Sequence, residues 1–189
     1  MQLIEPGEKV LLHSCCATCT AYIIEALLAA KVNPIVFFYN PNIDSLEEYE
    51  KRCKDVEVFS KMKNVKFIKG DYDDLLWQES IKGLEAEPEG GDRCKQCFFM
   101  RLKKSCEVAN EQGINIVATS LGISRWKNLD NVNVAGNNAT ELFSDIIFWP
   151  ENWRKSGGSQ KMYEISKQQG FYRQTYCGCR YSKKKEVSK

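Results

Sequence analysis

The chain has 189 residues, 43 % hydrophobic and 28 % charged, enough to bury one core without disulfides and too apolar for disorder. Its formal net charge of +2 gives no overall basic field, so a nucleic-acid contact would have to rest on a local patch. No apolar run approaches the roughly 18 residues of a membrane span, and MQLIEPGEKV lacks the zones of a secretory leader, so the expected compartment is the cytoplasm, with no membrane partner.

Residues 9–13 (KVLLH) form the apolar run of a short buried strand that leads into HSCCATC. Residues 20–31 are apolar at helical spacing and rich in Ala and Leu. Residues 34–39 (PIVFFY) are β-branched and aromatic and predict a second strand, broken by Asn40, Pro41 and Asn42. Strand, helix, strand in that order implies a parallel crossover. Ser45 and Glu48 have capping-box spacing and open a helix expected to reach about residue 63. A short strand at 65–68, a helix at 72–84 and an acidic Gly/Pro-bearing loop at 85–92 follow. The strongest helix spans 93–112 and stops at Gly113, before a strand at 114–119. A helix at 127–142, a strand at 145–149 and a last helix at 159–169 complete the pattern. The alternation predicts a single α/β domain over residues 1–189. It is Rossmann-like (HUP-like) and three-layered, with a mostly parallel sheet of about five strands and a short basic tail at 183–189.

Nine cysteines are many for a protein expected in a reducing compartment, and they favour metal binding or redox chemistry over disulfides. Seven fall in three groups: Cys15, Cys16 and Cys19 (CCATC); Cys94 and Cys97 (CKQC); Cys177 and Cys179 (CGC). The first follows the first strand, where open α/β sheets place ligands. The second occupies one face of a helix's first turn, where the dipole favours thiolate. In the third, a single glycine lets the backbone turn tightly around a metal. The pairs 16/19 and 94/97 alone would suffice for a structural zinc. Seven thiols exceed one tetrahedral site and suit an iron–sulfur cluster plus a second metal or a redox thiol pair. Cys53 and Cys106 lie on apolar helical stripes and have the pattern of core residues. His13, the one histidine, excludes a His-rich metal site or a Ser-His-Asp triad.

Six stretches carry a resemblance: LLHSCCATC (11–19), FFYNPNI (37–43) with EEYEKR (47–52), GGDRCKQCFFMRL (90–102), ATSLGISRWKN (118–128), NWRKSGGSQKM (152–162) and YCGCRYS (176–182). In this order, and over nearly the whole chain, the sequence resembles the QueH-type epoxyqueuosine reductases. The resemblance implies reduction of epoxyqueuosine in the tRNA anticodon loop to queuosine, with a 4Fe-4S cluster, an additional mononuclear iron, no cobalamin and an external electron donor. It also makes all seven clustered cysteines candidate metal ligands, with Cys15, Cys16, Cys177 and Cys179 at the reacting centre. Arg125 and Lys127 are expected to meet phosphate and Trp126 to stack on an unpaired base. Arg154, Lys155, Gly157, Gly158 and Ser159 precede the last helix and could form a phosphate nest. Tyr39 and Asn40 end the second strand on the rim that carries the cysteine turn. The rival readings are a zinc-stabilised nucleic-acid-binding module and an ATP-dependent tRNA-modifying enzyme. The latter would need a Gly/Ser-rich phosphate loop where this chain has HSCCATC.

Overall fold

The strands form where short apolar runs can be covered on both faces, and the helices form where apolar residues keep to one side. In the computed structural model, which describes residues 4–183, the order is β1 (Lys9–Ser14), α1 (Ala17–Ala29), β2 (Asn33–Phe38), α2 (Leu46–Met62), β3 (Lys66–Lys69), α3 (Asp74–Ser80), α4 (Asp92–Glu111), β4 (Ile116–Thr119), α5 (Leu129–Thr140), β5 (Ile147–Phe148) and α6 (Gly158–Gln169). Single 3-10 turns lie at Ser120–Ile123 and Arg180–Ser182. Of the basic tail, all but Lys183 lies outside the described residues. No helix among the described residues is long and apolar enough to cross a membrane.

All five strands are parallel and run β3-β2-β1-β4-β5 across the sheet. The expected α/β class holds, with a sheet that is wholly rather than mostly parallel. β1 is central; its Leu12 lies level with Val36 on one side and Ala118 on the other, and Val10, Leu11 and Leu12 are fully buried. Helices α1, α2 and α6 pack on one another on one side of the sheet, and α4 packs with α5 on the other. The strand order reverses between β1 and β4, so their carboxyl ends open into the crevice where such sheets bind ligands.

Element boundaries differ from the sequence expectation where side chains cap or strap the chain. α1 starts at Ala17 because Cys16, with φ −173° and ψ 163°, is its extended N-cap; Cys19 therefore lies in the first helical turn. α3 is confined to Asp74–Ser80, and β5 to two residues. Ser45 Oγ accepts the Glu48 N–H at 3.2 Å, the first half of the capping box. The Glu48 carboxylate does not return to the cap. It pairs with Arg52 at 2.7 Å, an arrangement that shapes the site.

Candidate active site

The first sulfur group is built by the β1–α1 turn. The Sγ atoms of Cys15, Cys16 and Cys19 all lie within 4.8 Å of one another, and Cys15 and Cys16 are 3.9 Å apart. Ser120, in the 3-10 turn after β4, accepts the Cys15 backbone N–H at 3.0 Å and donates its hydroxyl to Cys15 Sγ at 3.3 Å. The three thiols are shifted in opposite directions, with Cys15 moved downward. Hydrogen bonds from the Cys16 and Cys19 thiols hold it well below the usual thiol range, and the Lys127 and Arg101 charges add to this against burial. Its neighbours move the other way: Cys16 is pushed up to about 12 and Cys19 is raised well above the usual thiol range, as the donors to Cys15.

The second group joins the remaining two clusters. Cys97 and Cys179 pack with Trp77 and Ile81 in one buried cluster. Burial raises the Cys94 thiol and pushes Cys97 up to about 11, and both feel the charges of Cys177 and Cys179. The Gly90 N–H donates to Cys94 Sγ at 3.2 Å. The structure therefore pairs 94/97 with 177/179, and the four-thiol zinc set 16/19 plus 94/97 does not form. Among the described residues only Cys15, Cys16 and Cys19 make a compact metal-ligand group. Cys53 and Cys106 are core residues, 2 % and 0 % exposed.

The Cys-Gly-Cys segment is irregular chain, strapped down by α2. Arg52 Nη1 donates to the Cys177 carbonyl at 3.0 Å and Nη2 to the Tyr176 carbonyl at 3.4 Å. Tyr172 Oη donates to the free Glu48 oxygen at 3.1 Å, and Tyr176 Oη to Asp44 at 2.6 Å. Gly178 has φ +131°, and a Cβ there would meet Asn42 at 3.0 Å and Arg52 at 3.3 Å, so position 178 takes only glycine without strain.

Beneath the sulfurs lies a buried polar layer. His13 Nδ1 lies 2.8 Å from Thr119 Oγ1 and Nε2 lies 3.1 Å from the Tyr39 carbonyl, which assigns the proton to Nε2. Burial and the Arg101 charge lower His13 to about 3, so it is neutral and both nitrogens are engaged. Asn40 Nδ2 donates to the Ser14 carbonyl at 3.0 Å, while its Oδ1 accepts from Arg101. Tyr39 donates its hydroxyl to Asp73 at 2.9 Å and stacks on Phe37.

A cavity of about 570 Å³ opens above this layer. Cys15, Cys19, Cys177, Asn40 and Arg101 line it, together with Arg125, Trp126, Lys127 and Arg173. Sulfurs from the beginning and end of the chain thus share one cavity. Lys127 is directed at them: burial alone would lower its ammonium, but Cys177, Cys15 and Cys19 outweigh burial and raise it. Trp126 is 74 % exposed, with the Arg125 guanidinium 4.7 Å from its ring.

The other expected contacts are placed elsewhere. Tyr39 is buried under the site and is not part of the cavity wall. Arg154 braces the 122–127 loop through the carbonyls of Gly122 at 2.8 Å and Lys127 at 2.7 Å. Lys155, Gly157, Gly158 and Ser159 also lie outside the cavity lining. Gly158 is a packing position, since a Cβ there would lie 1.9 Å from the Trp153 carbonyl oxygen and 2.8 Å from the Tyr22 ring. Gly158→Ala is accordingly expected to lower stability by about 1–3 kcal/mol through overpacking. A melting temperature equal to the parent's would show that the start of α6 is free to adjust. Residues missed in the sequence are Arg52, Arg101, Ser120 and Arg173. Two had a detectable signal, because Arg101 is four residues from Cys97 and Arg52 four from Glu48 on continuous helices.

Comparison with known proteins shows the family. The family described as "Epoxyqueuosine reductase QueH" matches residues 10–185. An epoxyqueuosine reductase QueH of Haemophilus influenzae is 47 % identical over 182 residues, covering 96 % of this chain and 74 % of the relative. One from Acinetobacter baylyi is 46 % identical, with 96 % and 84 % covered. One from Thermotoga maritima is 34 % identical over 176 residues, with 92 % and 89 % covered. A solved structure similar in fold is the U34-tRNA thiolase NcsA from Methanococcus maripaludis with its [4Fe-4S] cluster, at TM-score 0.59 and 13 % identity, covering 95 % of this chain and 62 % of the thiolase. The cysteine turn at the crevice, the strapped Cys-Gly-Cys segment and a match along almost the whole chain lead to one assignment: the protein belongs to the epoxyqueuosine reductase QueH family.

Proposed function

We propose that this protein reduces epoxyqueuosine in the anticodon loop of tRNA to queuosine in the cytoplasm. It would use a 4Fe-4S cluster and a separate iron, without cobalamin, and take electrons from an external donor. The observation that carries the proposal is that Cys15, Cys19 and Cys177 share one cavity wall, with Cys94, Cys97 and Cys179 behind it. The donor set fits thiolate-ligated iron: it is all sulfur, it exceeds the four ligands of one tetrahedral ion, and the only histidine is engaged in hydrogen bonds. Cys15, Cys16 and Cys19 would hold metal on one side, and Cys94, Cys97, Cys177 and Cys179 on the other. Such a centre supplies single electrons and Lewis acidity toward an oxygen ligand.

The remaining work falls to the chain itself. Arg125 and Arg173 at the cavity mouth are placed for phosphate, and exposed Trp126 offers a stacking face for an unpaired base. Arg154 holds that loop in shape from behind. Lys127, whose ammonium the sulfurs favour, lines the same cavity.

The test is metal and acid-labile sulfide analysis of anaerobically purified protein, followed by mass spectrometry of nucleosides from epoxyqueuosine-bearing tRNA. Iron with sulfide, and conversion by a chemical reductant without added cobalamin, are expected. Zinc alone, with no conversion, would replace the proposal with a metal-stabilised binding module.

A further inference from the structure

Among the described residues, Arg101 is a buried cation with no carboxylate partner. It is 2 % exposed, its only side-chain hydrogen bond among the described residues goes to Asn40 Oδ1, and its Nε has no partner. Removing a guanidinium from water costs several kcal/mol unless something of opposite charge compensates. Asn40 is itself fixed, because its amide donates to the Ser14 carbonyl beside the cysteine turn. The guanidinium lines the cavity, and its charge is felt by Cys15 of one sulfur group and Cys97 of the other. It therefore lines the cavity with its position fixed by a neutral residue and with donor capacity unused.

The geometry points to Arg101 as the group that binds the substrate's reacting oxygen and stabilises the negative charge it gains as its bonds to carbon break. This rests on the reductase reading given above. In the balanced reaction the epoxide takes two electrons from a low-potential reductant and two protons. Both C–O bonds break, a C=C bond forms, and the oxygen leaves as water. A guanidinium stays protonated throughout, so Arg101 binds and stabilises without supplying either proton. Its preorganised charge at a buried position is the arrangement that favours a developing oxyanion. Asn40 is a positioning residue that acts through Arg101.

The experiment uses reconstituted holoprotein carrying R101Q, R101K or R101A, with iron and sulfide content, tRNA affinity and single-turnover rate measured together. R101Q should retain metal and product-tRNA affinity while its rate falls at least about 100-fold, the usual cost of losing one oxyanion donor. R101K should recover part of that loss, and added guanidinium should partly restore R101A, a rescue that a purely structural role would not give. Turnover of metal-loaded R101Q within a few-fold of the parent would overturn the inference. So would loss of iron from R101Q and R101K alike, which would make Arg101 a counter-ion of the sulfurs. An inactive parent enzyme would instead remove the reductase reading itself, so the two failures are distinguishable.

Discussion

Cys177→Ala is expected to abolish turnover and lower iron content while leaving the fold intact. Cys177 is half-buried on irregular chain, so removing its sulfur opens no core cavity and should change stability by less than about 1 kcal/mol. The same sulfur lines the cavity with Cys15 and Cys19 and acts electrostatically on Cys94 and Cys97. It therefore faces both sulfur groups. Loss of a group that orients a metal ligand costs about 10–100-fold in affinity or activity, and loss of a ligand itself should cost more. Cys106→Ala is the control. Cys106 is fully buried and belongs to the core, so its replacement should lower the melting temperature and leave iron and activity in place. Full activity in metal-loaded Cys177→Ala would remove the Cys-Gly-Cys segment from the reacting centre.

Arg52→Ala should act at a distance on the same segment. The Arg52 side chain is 2 % exposed, pairs with Glu48 at 2.7 Å and donates to two consecutive carbonyls of the strap. Breaking a buried ion pair from one side costs about 3–5 kcal/mol, because the remaining charge stays buried without its partner. Here the cost should appear both as a lower melting temperature and as loss of iron, since Cys177 and Cys179 would lose their anchor to α2. Arg52→Lys should be intermediate, because one ammonium cannot reproduce the planar fork that reaches Glu48 and both carbonyls. An Arg52→Ala protein with parental melting temperature and iron content would show that Tyr172, Tyr176 and the Asp44 contacts are sufficient to hold the strap.

Both predictions turn on contacts between the C-terminal segment and the rest of the fold, which no periodicity announces. The capping-box pattern correctly located the start of α2, where Ser45 caps Glu48. It also led to the expectation that Glu48 would serve the cap, whereas the carboxylate turned to Arg52, one turn further along α2, and to Tyr172, which the C-terminal segment brings alongside the helix. Likewise, the 154–159 stretch has the composition of a phosphate nest, but Gly158 is needed for close packing against Trp153 and Arg154 for bracing a loop. Composition could not distinguish these uses, because the Tyr22 ring beside Gly158, the Gly122 and Lys127 carbonyls that Arg154 reaches and the Tyr172 hydroxyl at Glu48 are distant in sequence.

The alternation of apolar runs with helical faces was sufficient to determine the α/β class, since each element must bury a continuous run or one stripe to be stable. The grouping of seven cysteines likewise led to the expectation of sulfur-ligated metal, since seven clustered thiols exceed the four ligands of one tetrahedral ion. Which thiols meet, and which cations line their cavity, was decided only by the tertiary structure. Cys94 and Cys97 join Cys177 and Cys179 instead of the first cluster because α2 straps the chain's end across the crevice, and Arg101 enters from α4 on the opposite face of the sheet. Hydrogen bonds and charges act through space over a few ångströms, and only folding brings residues 15, 101 and 177 within that range.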